Sequence, residues 1–264
     1  MRIALGVEYD GTDFNGWQRQ RNGRTVQQCI EQALSRVADH SLTTVCAGRT
    51  DTGVHATGQV IHIDTPAVRD AKAWIRGGNT NLPADIRIQW AREVDADFHA
   101  RFSARQRHYR YVILNRPYPS AQLRHRACWV FIPLDAAAMQ AAANHLLGEH
   151  DFTSFRALAC QARHPIRTIY RLDVSRRGDF IYLDVVANAF LHHMVRCIAG
   201  MLISVGRGEV SSGWVRQVLE ARDRALGGAT APAAGLYLVA VYYPEPFVLP
   251  RGGWLPEYTC QPGG

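Results

Sequence analysis

The segment of this chain best suited to chemistry is Gly48-Arg49-Thr50-Asp51-Thr52-Gly53-Val54-His55-Ala56. Asp51 sits at its centre with Arg49 two residues earlier. Glycines on both sides permit positive φ and a close approach of backbone to ligand. A carboxylate placed this way is a nucleophile or a base in want of a cation. An ordinary turn carrying an exposed ion pair has the same composition, so a second feature must set the loop apart.

Arg196 supplies that feature. The run from Phe190 to Leu202 is apolar nearly all round after His192-His193, and a helix of that composition is buried. An arginine about two turns into a buried helix keeps its proton and requires a carboxylate or phosphate. Pairing with Arg196 keeps Asp51 ionised where desolvation alone raises a carboxyl pKa. A purely structural ion pair is the plainer alternative. His192 and His193 diverge on a helix, which argues against a shared metal and for hydrogen-bonded imidazoles.

The stretch Arg101 to Tyr111 carries four arginines within ten residues, 101 to 110. On a strand Arg107, Tyr109 and Tyr111 share one face, while His108 and Arg110 share the other. Arginines between tyrosines suit phosphate contacts beside a base-stacking platform. Arg19, Arg21 and Arg24 form a second basic loop, and Arg163, Arg167, Arg171, Arg176 and Arg177 a third patch. Arg19, Arg21, Arg24, Arg107 and Arg110 are the candidate RNA contacts.

These groups need a scaffold, and apolar spacing outlines one. A strand over 2–9 precedes a helix from Thr25, where Thr25 and Gln28 suggest a capping box. Strands near 42–47 and 58–64, a helix over 69–79 and a strand near 86–94 complete a β-α-β-β-α-β order. That is the split β-α-β, ferredoxin-like pattern. The second half has strands near 107–114 and 127–132 and a helix at 135–147. Strands near 168–176 and 179–187 then turn at Arg177-Gly178, before helices at 191–205 and 212–223 and a strand at 236–243. The expected class is α+β, with two ferredoxin/RRM-like halves joined in a pseudo-two-fold, mixed but mostly antiparallel sheet. Helices flank that sheet and a central cleft divides the halves. Residues 1–105 form the half with the aspartate loop, and 106–243 the half with Tyr109 and Arg196. Residues 244–264, with five prolines and four glycines, form an irregular tail lying over a surface or a neighbouring subunit.

Composition narrows the partners. The chain has 264 residues and a net charge of +7, with a single lysine, Lys72, among its 30 cations. Arginine grips phosphate bidentately and stacks on bases, so a polyanionic partner is expected. The first residues lack a signal-peptide core, and no stretch reaches the roughly 20 apolar residues of a membrane span. Cys29, Cys46, Cys128, Cys160, Cys197 and Cys260 show no metal-like spacing, which fits a reducing cytoplasm and no structural zinc. Asp51-Thr52-Gly53 also matches the aspartic-protease tripeptide. That enzyme needs two such aspartates sharing a proton, and this chain has one copy beside an arginine. A non-catalytic RNA-binding module is the other alternative, which does not require a buried arginine facing an aspartate.

Many blocks resemble, in order, the bacterial tRNA pseudouridine synthases of the A family. They are Tyr9-Asp10-Gly11-Thr12 with Gly16-Trp17-Gln18, Thr25-Val26-Gln27, the Gly48–Val60 loop, Asn81-Leu82-Pro83, Phe98–Ala104, His150–Phe155, Phe190–Gly200 and Thr230–Leu238. The resemblance implies isomerisation of uridine to pseudouridine at positions 38 to 40 of the tRNA anticodon arm. It places the nucleophile on Asp51, its motif partner on Arg49 and the pairing arginine on Arg196. The base-stacking aromatic falls on Tyr109 and the apolar pocket wall on Leu236. It further implies a homodimer that needs no cofactor and no metal. Asp51 attacks C1′ or C6, or assists removal of the C2′ proton; each role needs an ionised carboxylate beside an extruded uridine. Thr52 stands where alanine is usual and Ile63 where an aromatic is common. Neither removes a reacting group.

Overall fold

Strand β1 (Arg2–Tyr9) leads through a long loop into helix α1 (Val26–Ala38). Val26, Ile30, Ala33 and Leu34 recur along α1 at helical spacing and are buried. Strands β2 (Val45–Cys46) and β3 (His55–Asp64), helix α2 (Ala71–Asn81) and strand β4 (Ile86–Val94) follow. In this computed structural model residues 1–157, 160, 162–250 and 253–258 are described. The first of two compact units holds Met1–Arg107 with Tyr237–Leu255, and the second holds His108–Leu236 with the residues from Pro256 on.

In the first unit β1 lies between β4 and β3, antiparallel to both, and β2 adds antiparallel to the far edge of β3. That order is the ferredoxin-like arrangement expected from sequence. The same edge of β3 also receives β10 (Leu236–Tyr242) in parallel, Tyr237 opposite His55 and Leu238 opposite Ala56. The sequence placed 236–243 with the second half, but this pairing draws Tyr237 onward into the first unit. The irregular segment after β10 stays there as far as Leu255. Phe247 packs on Phe98, and the Trp254 indole donates to Glu8.

The second unit is built on β5 (Gln106–Asn115), β6 (Cys128–Val130), β7 (Gly148–Asp151), β8 (Ile166–Arg177) and β9 (Phe180–Ala187). Strand β9 lies between β5 and β8, β7 follows β8, and β6 runs parallel along β5. The helices are α3 (Ala136–Ala143), α4 (Met194–Gly206) and α5 (Ser212–Ala221). The α+β class and mostly antiparallel pairing match the expectation. No helix among the described residues is long and apolar enough to cross a membrane. Five cysteines are unbridged, and Cys260 lies outside the described residues.

Four local expectations change. Thr25 is the N-cap of α1 but makes no capping hydrogen bond; the carbonyls of Gly16 and Trp17 take the N–H groups of Val26 and Gln27 instead. The β8–β9 turn is Gly178-Asp179, because Arg177 pairs with Phe180 and Gly178 takes the positive φ. Strand β7, too short and polar to show a period, was not anticipated. Helix α4 begins at Met194, since His193 is left-handed at φ 63° and cannot extend it.

Candidate active site

Asp51 opens a tight turn. Val54 donates to the Asp51 carbonyl at 3.1 Å, and Gly53 takes φ +76° inside that turn. Asp51 is half-buried, Arg49 exposed, and Thr50 between them buried. The loop is held from below by residues of the first unit. The Thr50 hydroxyl meets the Tyr9 hydroxyl at 2.8 Å, and the Thr50 carbonyl accepts from the Trp17 N–H at 2.9 Å. Gln59 donates to the Gly48 carbonyl at 2.6 Å.

Two glycines make this bed possible. At Gly16, φ +84°, a Cβ would stand 2.8 Å from the Thr50 oxygen and 3.1 Å from the Asp51 carbonyl carbon. At Gly11 a Cβ would collide with the Val54 carbonyl. The Gly11 N–H donates to His55 Nδ1 at 3.0 Å, and Asp10 lies 3.2 Å from the same nitrogen. The His55 imidazole beside it, with hydrogen bonds from Thr12, holds the Asp10 carboxyl well below the usual carboxylate range despite its burial. The His55 ring stacks on Tyr237 at 4.7 Å. Tyr9, Gly16, Gln59 and His55 are positioning residues that sequence reasoning did not single out. Their motif blocks were visible, but nothing in a linear sequence says that they underlie residue 51.

In the second unit Tyr109 is buried on β5, its ring edge-on to Phe190 at 5.0 Å. Its neighbours His108 and Arg110 point together, as the strand period required, and both bind Asp184. His108 Nε2 donates at 2.8 Å, and Arg110 donates through Nε at 3.0 Å and a terminal nitrogen at 2.7 Å. Burial pushes the Asp184 carboxyl up, but the bonds from His108 and Arg110 outweigh it and bring the pKa to about 2. Glu257 closes on Arg110 at 3.3 Å and on Arg177 at 2.8 Å.

Arg196 departs from expectation. It lies in the first turn of α4, not two turns in, and is half-buried. Its Nε donates to the Ala231 carbonyl at 2.8 Å, and the Ala231 N–H returns a bond to the Arg196 carbonyl at 3.0 Å. His192 and His193 precede the helix instead of diverging along it, and their rings lie 4.1 Å apart. Leu236, buried, begins β10. Asp51 and Arg49 belong to the first unit, and Tyr109, Arg196 and Leu236 to the second.

The arginines proposed for RNA divide sharply. Arg110 is buried and committed to Asp184 and Glu257, so it is removed from the candidate RNA contacts. Tyr111 is fully buried too, its hydroxyl donating to the Pro232 carbonyl, so its own ring offers no open stacking face. Arg107 donates to the carbonyls of Ala47, Arg101 and Ala104. Arg24 forms a two-pronged pair with Asp85 while lying over Phe14. Arg19 reaches Glu31 at 3.3 Å with half its side chain exposed, and Arg21 is exposed.

The family model described as tRNA pseudouridine synthase matches residues 6–103 and 142–244. Among curated proteins the chain is similar to tRNA pseudouridine synthase A of Alcanivorax borkumensis, 57% identical over 261 residues covering 97% of this chain and 98% of that one. It is 55% identical to the protein of that name from Nitrosococcus oceani over 251 residues, 95% of this chain and 97% of the other. The Legionella pneumophila protein is 56% identical over 249 residues, 94% and 95% of the two chains. Both the loop of Asp51 and the helix of Arg196 fall within the matched residues. The chain belongs to the tRNA pseudouridine synthase family.

Proposed function

We propose that this chain isomerises uridine to pseudouridine at positions 38 to 40 of the tRNA anticodon arm, with Asp51 as nucleophile. The observation that carries the assignment is the fixed turn of Asp51. Thr50 is held through both its hydroxyl and its carbonyl, and Val54 closes the turn behind the aspartate. A carboxylate held this way spends little entropy in reaching its substrate.

The reaction breaks the N1–C1′ glycosidic bond, turns the uracil and joins C5 to C1′. The proton on C5 leaves to solvent, N1 takes up a proton in its place, and no electrons are gained or lost overall. The uridine must leave its stack to reach the carboxylate. In this proposal Arg49 holds the extruded nucleotide through its phosphate, Tyr109 covers the base, and Leu236 walls the pocket against water. Arg196 is the cation assigned to the Asp51 carboxylate. The exposed Arg21 and half-exposed Arg19 contribute to the phosphate contacts. The protein acts as a homodimer, as the resemblance implies, and in the cytoplasm, as the scattered cysteines suggest.

The test is to incubate unmodified tRNA transcripts with the protein and map pseudouridine by carbodiimide-dependent primer-extension stops. New stops at 38, 39 or 40 are expected. Stops elsewhere, or none, contradict the assignment. Sedimentation of the same preparation tests the dimer.

A further inference from the structure

Phe102 is 75% exposed, whereas Phe14 and Phe98 in the same unit are buried. A ring displayed this openly loses the stabilisation that burial gives, yet the turn beneath it is rigidly built. The His99 N–H donates to the Ser103 hydroxyl at 3.0 Å, and the Ser103 N–H donates to the His99 carbonyl at 2.9 Å. His99 Nδ1 accepts from the N–H groups of Arg101 and Phe102 at 3.2 and 3.1 Å. Ala100 donates to His62 Nδ1 at 3.1 Å and accepts from the Tyr243 hydroxyl at 2.7 Å. The Phe102 ring stacks on the His99 imidazole, with centroids 4.3 Å apart and planes 27° apart. Desolvation and the charge of Arg2 hold the His99 pKa below that of a free imidazole.

The pedestal adjoins the Asp51 loop. Arg107 donates both to the Arg101 carbonyl at 2.7 Å and to the Ala47 carbonyl at 3.1 Å, one residue before Gly48-Arg49. The charges of Arg49 and Arg101 both reach the Cys46 thiol, opposing the burial that pushes it up to about 12. Arg101 is exposed, with its guanidinium 5.5 Å from the Phe102 centroid. Asp64, the carboxylate whose charge reaches His99, is taken up by Arg2 at 2.7 and 2.8 Å. An exposed aromatic ring with the exposed Arg101 guanidinium against it suits a nucleotide, base on ring and phosphate on arginine.

We infer that Phe102, stacked on His99, and Arg101 form a nucleotide subsite of the tRNA-binding surface, separate from the pocket that takes the reacting uridine. The inference rests on the proposed tRNA activity. Its ligand is a nucleotide of the same tRNA, held by base stacking and a phosphate contact. Phe102 is a binding residue here and performs no chemistry.

The experiment measures the Kd of an anticodon stem-loop RNA for wild type, Phe102→Ala, Phe102→Leu, Phe102→Trp and Arg101→Ala. It includes pseudouridine formation by each and sedimentation of the free proteins. Removing one stacked base weakens binding by about tenfold on the usual scale. Phe102→Ala and Phe102→Leu are expected to raise Kd by about that factor, with the loss falling on KM more than on kcat. Phe102→Trp restores affinity, which bulk or apolarity alone would not explain. Arg101→Ala weakens binding and lowers the salt slope by about one. Wild-type affinity in Phe102→Ala overturns the subsite. So does dissociation of a dimer in Phe102→Ala with RNA affinity unchanged, which assigns the ring to a protein contact. If wild type makes no pseudouridine, the activity is refuted, while the Kd comparison still decides the subsite.

Discussion

The side-chain hydroxyls of Tyr9 and Thr50 meet at 2.8 Å inside the first unit, tying the end of β1 to the residue before Asp51. Thr50 is thereby held on its side chain by Tyr9 and on its backbone by Trp17.

Tyr9→Phe removes this bond and leaves the Thr50 hydroxyl buried without that partner. A stability loss of about 1 kcal/mol is expected. The larger effect falls on turnover, about tenfold in kcat, because the loop that carries Asp51 loosens. Denaturant unfolding beside single-turnover kinetics separates the two. A stability loss with unchanged kcat means that the bond serves only the fold.

Gly16→Ala tests the close approach beneath the loop. The new methyl presses on the backbone of Thr50 and Asp51, which have no flexible side-chain end to yield. Gly208, at φ +74° with open space around its α-carbon, serves as the control for backbone strain alone. Gly208→Ala costs about 1 kcal/mol, while Gly16→Ala costs more and lowers kcat by tenfold or more. Equal effects in the two variants rule out the steric argument.

Acid stability reports the Asp184 network. Its carboxyl falls from the usual 3.8 to about 2 in the folded protein. Between those values the unfolded chain binds the proton that the folded chain refuses. Stability is therefore present above about pH 4 and is lost as pH falls toward about 2, by roughly 2 kcal/mol. Asp184→Asn is less stable at neutral pH and shows a flatter curve across that window. Parallel curves for the two proteins contradict the role given to Asp184.

Two arginines that look alike in sequence behave differently. Arg110→Ala strands Asp184 without its cation in a buried site and costs about 3 kcal/mol or more of stability. Arg21→Ala leaves stability within about 0.5 kcal/mol. It raises the Kd for tRNA several-fold and reduces the salt slope by about one. Thermal unfolding and salt-dependent binding check both together.

The order β-α-β-β-α-β was legible because β1 and β3 are apolar and buried along most of their length, β4 opens on the buried Ile86 and Ile88, and α1 repeats its apolar residues at helical spacing. The Asp51 loop stood out by its glycine and carboxylate types, but those types alone match an ordinary turn, and the role of Asp51 came from the family resemblance. Other features depend on contacts distant in sequence. Thr25 reads as a cap in any local window, but the Trp17 carbonyl takes the Gln27 N–H within its reach. Arg110 reads as an RNA contact until Asp184, 74 residues away, is found beneath it. Arg196 read as deep in a helix because the apolar run hides the left-handed residue at His193. Phe102 lay inside a stretch whose tyrosines drew attention first, and only the exposure of its ring in the folded chain sets it apart.

The most direct test of Asp51 is release of tritium from tRNA labelled at C5 of uridine. Asp51→Asn keeps the size of the side chain and the fold of the turn but removes the charge. The variant is expected to bind tRNA within about threefold of wild type. Tritium release and pseudouridine at positions 38 to 40 should both vanish in it, a fall of about a thousandfold or more. Release within about tenfold of wild type by a homogeneous Asn variant would contradict the assignment of Asp51 as the nucleophile.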